Sequence, residues 1–150
     1  MVIIGTESAR ADDVLDLLRE GDAFALALYP AENYHGLDVE ALAADGVTLF
    51  VARDDGAALG TAALVDRGDR SAEIKRMFVK DTARGRGIGR GLVETLEAHA
   101  LGTGISTLQL ETGVPQFAAI ALYERLGYCQ IPRFGEYTED PLSYCMEKHL

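Results

Sequence analysis

VKDTARGRGIGRGLV, Val79 to Val93, packs four glycines and three arginines into the eight residues Arg84 to Gly91 and then passes at once into an apolar helical pattern. Ile88, Leu92, Leu96 and Ala100 recur every four residues, which buries one face of a helix reading from about Arg86 to Leu101. The preceding AEIKRMFV, Ala72 to Val79, reads as a strand. A bare turn between a strand and a helix leaves the helix N-terminus facing outward. Unpaired N–H groups, the helix dipole and glycines that let a ligand touch the backbone then make a site for phosphate. Arg84, Arg86 and Arg90 add charge at the rim. An isolated Gly-x-Gly would read as a solvated turn; the strand-to-helix setting reverses that reading. Two familiar phosphate loops fail on spacing. No Gly-Lys-Ser/Thr triplet is present, and a Gly-x-Gly-x-x-Gly begun at Gly85 or Gly87 ends on Arg90 or Leu92.

Outward from this run, the apolar period switches repeatedly between two and about 3.6, the pattern of mixed α/β structure. MVIIGT is a short strand; Ala9 to about Leu28 is a helix, or two helices broken near Gly21; Asp38 caps a short helix to Ala44. TLFVAR and AALGTAALVD join at DDG as a hairpin. STLQLET is a strand, Pro115 to Leu126 a helix, and YCQI and SYCMEKH are closing strands. The strand-helix alternation of the C-terminal half favours parallel pairing there.

At 150 residues with 48% hydrophobic content, the chain suits one domain, 1–150, with its own core. The net charge of −10 opposes general nucleic-acid or anionic-membrane binding, so any anion must be held locally. Two cysteines, Cys129 and Cys145, and no apolar leader or long apolar run indicate a cytoplasmic protein with reduced thiols. His35, His99 and His149 are scattered, and no metal is expected.

Arg84-Gly85-Arg86-Gly87-Ile88-Gly89 resembles the acyl-coenzyme A loop, Gln/Arg-x-x-Gly-x-Gly/Ala, of the GNAT superfamily of N-acetyltransferases. AEIKRMFV resembles that family's fourth strand, ALYERLGY its second motif, and FGEYTEDPLSYCMEK the end of its small bacterial members. The resemblance implies an α/β (α+β) fold with a mixed sheet of about six or seven strands flanked by about four helices. It implies acetyl-CoA as cosubstrate, a small-molecule primary amine as acceptor, direct attack in a ternary complex and, by family habit, a homodimer. A catalytically inactive acyl-CoA sensor of the same fold is the alternative.

By the same resemblance, Arg84, Gly85, Arg86, Gly87, Ile88 and Gly89 hold the pyrophosphate, with Gly87 and Gly89 allowing close approach. The backbone of Met77, Phe78 and Val79 pairs with the pantetheine arm and polarises the thioester carbonyl. Tyr123 matches the tyrosine that protonates the departing thiolate; otherwise it is a core tyrosine bonded to a carbonyl. Gln116 stands where many members carry Asn. Glu73, 11 residues before Arg84, matches a glutamate that accepts the amine proton, or else pairs with Lys75 or Arg76. Strict alternation puts Glu73, Lys75, Met77 and Val79 on one face unless a bulge intervenes. Tyr29, Glu32, Tyr34 and His35, in YPAENYH, fall where the family builds its acceptor wall, and Arg133, Phe134, Tyr137 and Asp140 form a second candidate wall; ordinary turns would account equally for both.

Overall fold

Asp55 and Gly56 take positive φ, 52° and 84°, the two-residue geometry whose twist matches paired strands. They close β2 (Val47–Asp54) onto β3 (Ala57–Gly68) as the DDG signal predicts. The computed structural model describes all 150 residues. It adds β1 (Val2–Thr6), β4 (Ser71–Val79), β5 (Thr107–Gly113), β6 (Cys129–Ile131) and β7 (Ser143–His149) to this hairpin in one mixed sheet of order β1-β2-β3-β4-β5-β7-β6. Only β4 and β5 pair in parallel. The expected parallel run of the C-terminal half is corrected beyond that point: β7 inserts between β5 and β6, antiparallel to both.

Helices cover both faces. α3 (Ile88–Gly102) and α4 (Phe117–Arg125) lie on one face, where Ile88, Leu92, Val93 and Leu96 meet Phe50, Ala52, Leu64, Ile74, Leu108 and Leu110. On the other face α1 (Asp12–Leu28) and α2 (Val39–Leu42) set Val14, Leu17, Leu18 and Leu42 against Leu49, Val51 and Ala63. Burial on both faces explains why β2 and β3 read as nearly unbroken apolar runs. Asp38 caps α2 as expected, its Oδ1 accepting from the Ala41 N–H at 2.8 Å. α1 does not break at Gly21. A Cβ there would stand 3.3 Å from Phe78 Cγ, so the glycine admits the Phe78 ring rather than ending the helix.

α1 and α2 cover β2, β3 and the C-terminal end of β4 on their face. Over β4, β5 and β7 that face carries Glu73, Lys75, Gln109, Glu111 and Glu147, and the segment 132–142 closes over it through the buried Tyr137. Glu73 and Lys75 thus find partners in that segment, Gln109 and Glu147 pair across neighbouring strands, and Glu111 accepts from Ser143 of β7.

β4 carries the distortion that shapes the site. Its register with β3 shifts between Thr61↔Phe78 and Ala63↔Lys75, and Arg76 sits at φ 55° with its carbonyl accepting from Thr61 Oγ1 at 2.8 Å. This bulge inverts the alternation. Met77 and Val79 pack toward α3 while Phe78 turns toward α1, so they do not share the face of Glu73 and Lys75.

Candidate active site

Two αL glycines, Gly85 at φ 82° and Gly87 at φ 75°, turn the chain from β4 into α3. The first acceptor used in the new helix is the Gly87 carbonyl, taken by the Gly91 N–H at 3.0 Å. The amides of Gly85 through Arg90 consequently have no acceptor within the chain, and no side chain caps them. Aligned unpaired amides at the positive end of a helix are what a phosphate requires. Nothing lies within 4 Å of a Cβ built at Gly85 or Gly87, whereas one at Gly89 would stand 3.2 Å from Leu122 Cδ2. Gly85 and Gly87 therefore supply the turn and the open approach; Gly89 lets α3 pack on α4. The arginines are already engaged at the rim: Arg84 with Asp81 and over the Phe24 ring, Arg86 with Asp54, and Arg90 with Glu94.

Upstream of the loop, β4 and β5 part. Their pairing ends at Ile74↔Leu110, so Lys75 and Glu111 are the first residues past the fork and β4 runs on to Val79 with its β5-facing edge open. A cavity of about 140 Å³ threads this fork. Leu18, Gly21, Phe24 and Ala25 of α1 line one side, Ala119 and Tyr123 of α4 the other, with Met77, Phe78, Glu111 and Thr112 between.

Tyr123 is 3% exposed, its ring packs edge-on to Tyr128 at 5.6 Å, and its hydroxyl, which borders the cavity, has no hydrogen-bond partner in the chain. The carbonyl that a purely structural tyrosine would need is absent. Burial alone raises its pKa, which keeps the phenol protonated at neutral pH. Glu111 reaches the cavity from the opposite side of the sheet, half-buried, with Oε2 accepting from Ser143 Oγ at 2.7 Å. Burial pushes its carboxyl up to about 7, against the opposing pull of Ser143, His35 and Lys75 and with a further push from Asp140.

The end of the cavity beyond α1 is built from two chain segments. Tyr29, Tyr34 and His35 line the cavity. Tyr29 accepts from Gln116 Nε2 at 2.6 Å, its ring filling the space that a Cβ on Gly113 would need. Tyr34 is tied by its hydroxyl to Asp22 and Arg76, and burial ahead of the Asp22 bond raises its pKa to about 12. His35 Nε2 meets Asp140 Oδ2 at 2.7 Å, and Asn33 Nδ2 donates to Asp140 Oδ1 at 2.8 Å, so one carboxylate latches the segment 132–142 to the segment after α1.

Of the residues that the sequence offered for the base and the acceptor walls, Glu32, Glu73, Arg133, Phe134, Tyr137 and Asp140 fall outside the cavity lining. Glu32 is exposed on the surface. Tyr137 is buried beneath the site, its hydroxyl donating to Glu73 Oε2 at 2.5 Å and accepting from Lys75 Nζ at 2.6 Å. Glu73, 3% exposed, sits one pair back inside the sheet, with Oε1 held by Arg67 Nη2 at 2.7 Å. Its ion pair forms with Arg67 at 2.7 Å and with Lys75 at 3.8 Å, not with Arg76. Glu111, Lys75 and Gln116 line the cavity without having been singled out as site residues. The signal for Glu111 was an acidic residue in an otherwise strand-like STLQLET, which alternation alone does not connect to a cavity. An acid and a carboxylate facing one small cavity, below a row of free amides, suit group transfer from a phosphate-bearing donor.

Residues 12–128 match the family described as Acetyltransferase (GNAT) family. An "IAA acetyltransferase" of Azospirillum brasilense is 45% identical over 150 residues, covering 99% of this chain and 98% of that protein. Among solved structures, a Klebsiella pneumoniae protein described as an acyl-CoA N-acyltransferase superposes with a TM-score of 0.84 at 34% identity, covering 100% of this chain and 98% of the other. The PaiA N-acetyltransferase of Thermoplasma acidophilum, in complex with coenzyme A, shares the fold at a TM-score of 0.79 and 16% identity, covering 100% and 99%.

Proposed function

The chain belongs to the GNAT acetyltransferase family, and from that premise we propose that it moves an acetyl group from acetyl-CoA to a primary amine of a small molecule by direct attack in a ternary complex. The observation that carries the reading is Tyr123: a buried residue that lines the cavity at the fork of β4 and β5, with a hydroxyl that has no partner in the chain. A buried phenol with no bond of its own is poised to give its proton to a departing sulfur.

The free amides of Gly85 to Arg90 fit the pyrophosphate of acetyl-CoA, with Arg84 and Arg86 at the rim. The open edge of β4 at Met77, Phe78 and Val79 fits the amide-bearing pantetheine arm, and an N–H of that edge aimed at a thioester carbonyl would contribute about 3 kcal/mol to catalysis. When bound, acetyl-CoA supplies the activated acetyl group. Tyr29, Tyr34 and His35 orient the acceptor, and the Asp140 latch holds their segment against the cavity. The Azospirillum relative is named for IAA, which joins the acceptors to be tested.

Thiol release from acetyl-CoA, measured with L-lysine, putrescine, tryptamine and IAA, tests the proposal. Turnover with at least one amine above the uncatalysed rate is the expected result. A rise in melting temperature with acetyl-CoA but no turnover with any acceptor would identify an acyl-CoA sensor instead.

A further inference from the structure

We infer that Glu111, rather than Glu73, accepts the proton released by the attacking amine; this rests on the transfer reading above and assigns a role in it to a strand-β5 carboxylate. Three observations carry it. Glu111 lines the cavity and Glu73 does not. Pairing of β4 with β5 stops at Ile74↔Leu110, which sets Glu111 in the crotch of the fork and leaves Glu73 paired with Gln109 behind it. Both oxygens of Glu73 already accept hydrogen bonds, Oε1 from Arg67 Nη2 at 2.7 Å and Nε at 3.2 Å and Oε2 from the Tyr137 hydroxyl at 2.5 Å, and the residue is 3% exposed. Glu111 gives one oxygen to Ser143 Oγ and keeps the other free.

The cavity passes between the two strands, so Glu111 and Tyr123 approach it from opposite faces of the sheet. This separation suits the two proton transfers. The substrate ammonium gives its first proton to a Glu111 oxygen, the N–H electron pair left behind attacks the thioester carbonyl, and Glu111 passes that proton to water. As the C–S bond breaks, the departing sulfur takes a proton from Tyr123, and the second N–H proton, acidic in the tetrahedral adduct, leaves the nitrogen and restores the tyrosine hydroxyl through water, so that ammonium and thioester become amide, thiol and one released proton.

The charged and titratable groups around Glu111 come from every neighbouring element. They are Lys75 on β4, Cys145 on β7 in register with it, Tyr29 and His35 after α1, and Tyr137 and Asp140 from the covering segment. Lys75 and His35 favour the carboxylate and Asp140 opposes it. The result is a base that is half-ionised near neutral pH, where proton transfer is most effective.

The test is the pH dependence of thiol release, using acetyl-CoA and whichever of L-lysine, putrescine and tryptamine the wild type turns over, in wild type, Glu111→Gln, Glu111→Asp, Glu73→Gln and Ser143→Ala. Wild-type kcat/KM should rise with pH and level off above about 7. Glu111→Gln should lose that limb and fall about 10²-fold or more at neutral pH, with the defect shrinking toward the amine's own pKa. Glu111→Asp, which keeps the carboxylate, should recover part of the rate. Ser143→Ala, which removes a bond favouring the carboxylate, should move the limb to higher pH, a shift that a merely structural Glu111 would not produce. An unchanged acetyl-CoA melting shift in each variant establishes that the fold is intact. A neutral limb that survives in Glu111→Gln, or that vanishes in Glu73→Gln instead, overturns the assignment and leaves acetyl transfer standing. Absence of turnover by the wild type with every amine removes both.

Discussion

Replacing Gly87 by alanine isolates the contribution of the loop backbone. Gly87 holds φ 75° and ψ 15°, and a Cβ there meets no atom within 4 Å. Steric clash is therefore excluded, and the whole cost lies in forcing an L-residue into αL, about 1–2 kcal/mol. For a chain of this size that lowers the melting temperature by roughly 2–8 °C. The second effect falls on the ligand. Acetyl-CoA at a hundredfold excess over its Kd stabilises the wild type by about 2.7 kcal/mol. Either the alanine methyl stands in the open approach to the amides, or the loop leaves αL and turns them away. A tenfold loss of affinity by either route removes about 1.4 kcal/mol, half of the ligand-induced rise. Scanning fluorimetry across an acetyl-CoA series measures both terms at once. Gly102→Ala is the control: the site is open and its φ is ordinary, so the variant should gain up to about 1 kcal/mol from helix propensity and keep the full ligand response. Gly89→Val is a poorer probe, because Leu122 Cδ2 stands 3.2 Å from its Cβ and packing is disturbed as well. If Gly87→Ala melts lower but retains the whole acetyl-CoA shift, the loop is a structural turn and the phosphates bind elsewhere.

Tyr123→Phe deletes a hydroxyl that has no partner in the chain, so stability should change by no more than about 0.5 kcal/mol while thiol release, measured where chemistry limits the rate, falls about 10²-fold and coenzyme A affinity holds. A large loss of stability would return Tyr123 to a structural role. The Glu111 carboxyl, raised from 4.5 to about 7 by burial, keeps a proton in the fold that the unfolded chain has lost. Its stabilising contribution is complete below pH 4.5 and disappears as pH rises through about 7, so wild type should lose ground to Glu111→Gln across that window by about 2 kcal/mol after allowance for solvent at a half-buried group. Parallel stability curves for the two proteins would contradict it. Asp140→Asn weakens the bond from His35 and loosens the latch on the acceptor segment, which should raise the amine KM about tenfold with little change in kcat. An equal fall in kcat would mean that the latch positions the reacting groups themselves.

Local chemistry made much of this protein legible in one dimension. The DDG turn, the Asp38 cap and the four-residue period of α3 depend on residues within one turn of each other, and each is found where its signal lies. Gly85 and Gly87 of the turn into α3 belong to the same class, because a positive φ is a property of one residue and its neighbours. Gly21 carried an equally local signal that left a break in α1 open, since its bareness answers to Phe78, 57 positions away. The Tyr29, Tyr34 and His35 wall was readable as a cluster, but which of its neighbours face the cavity was not.

What only the tertiary structure decided is where the polar strand residues point and what they meet. Sequence alternation assigns faces modulo two, and one extra residue at Arg76 inverts the assignment for the rest of β4. The end of the β4–β5 ladder at Ile74↔Leu110 separates two glutamates that look equivalent in the sequence, Glu73 inside the sheet and Glu111 at the opening. β7, arriving from the far end of the chain, slips between β5 and β6 and brings Ser143 to Glu111, while the segment before it carries Tyr137 to Glu73. The glycine run determined the open turn of unpaired amides at the start of α3. Which carboxylate is free to act on the acceptor depends on contacts between residues 32 and 64 positions apart, and no local pattern encodes those.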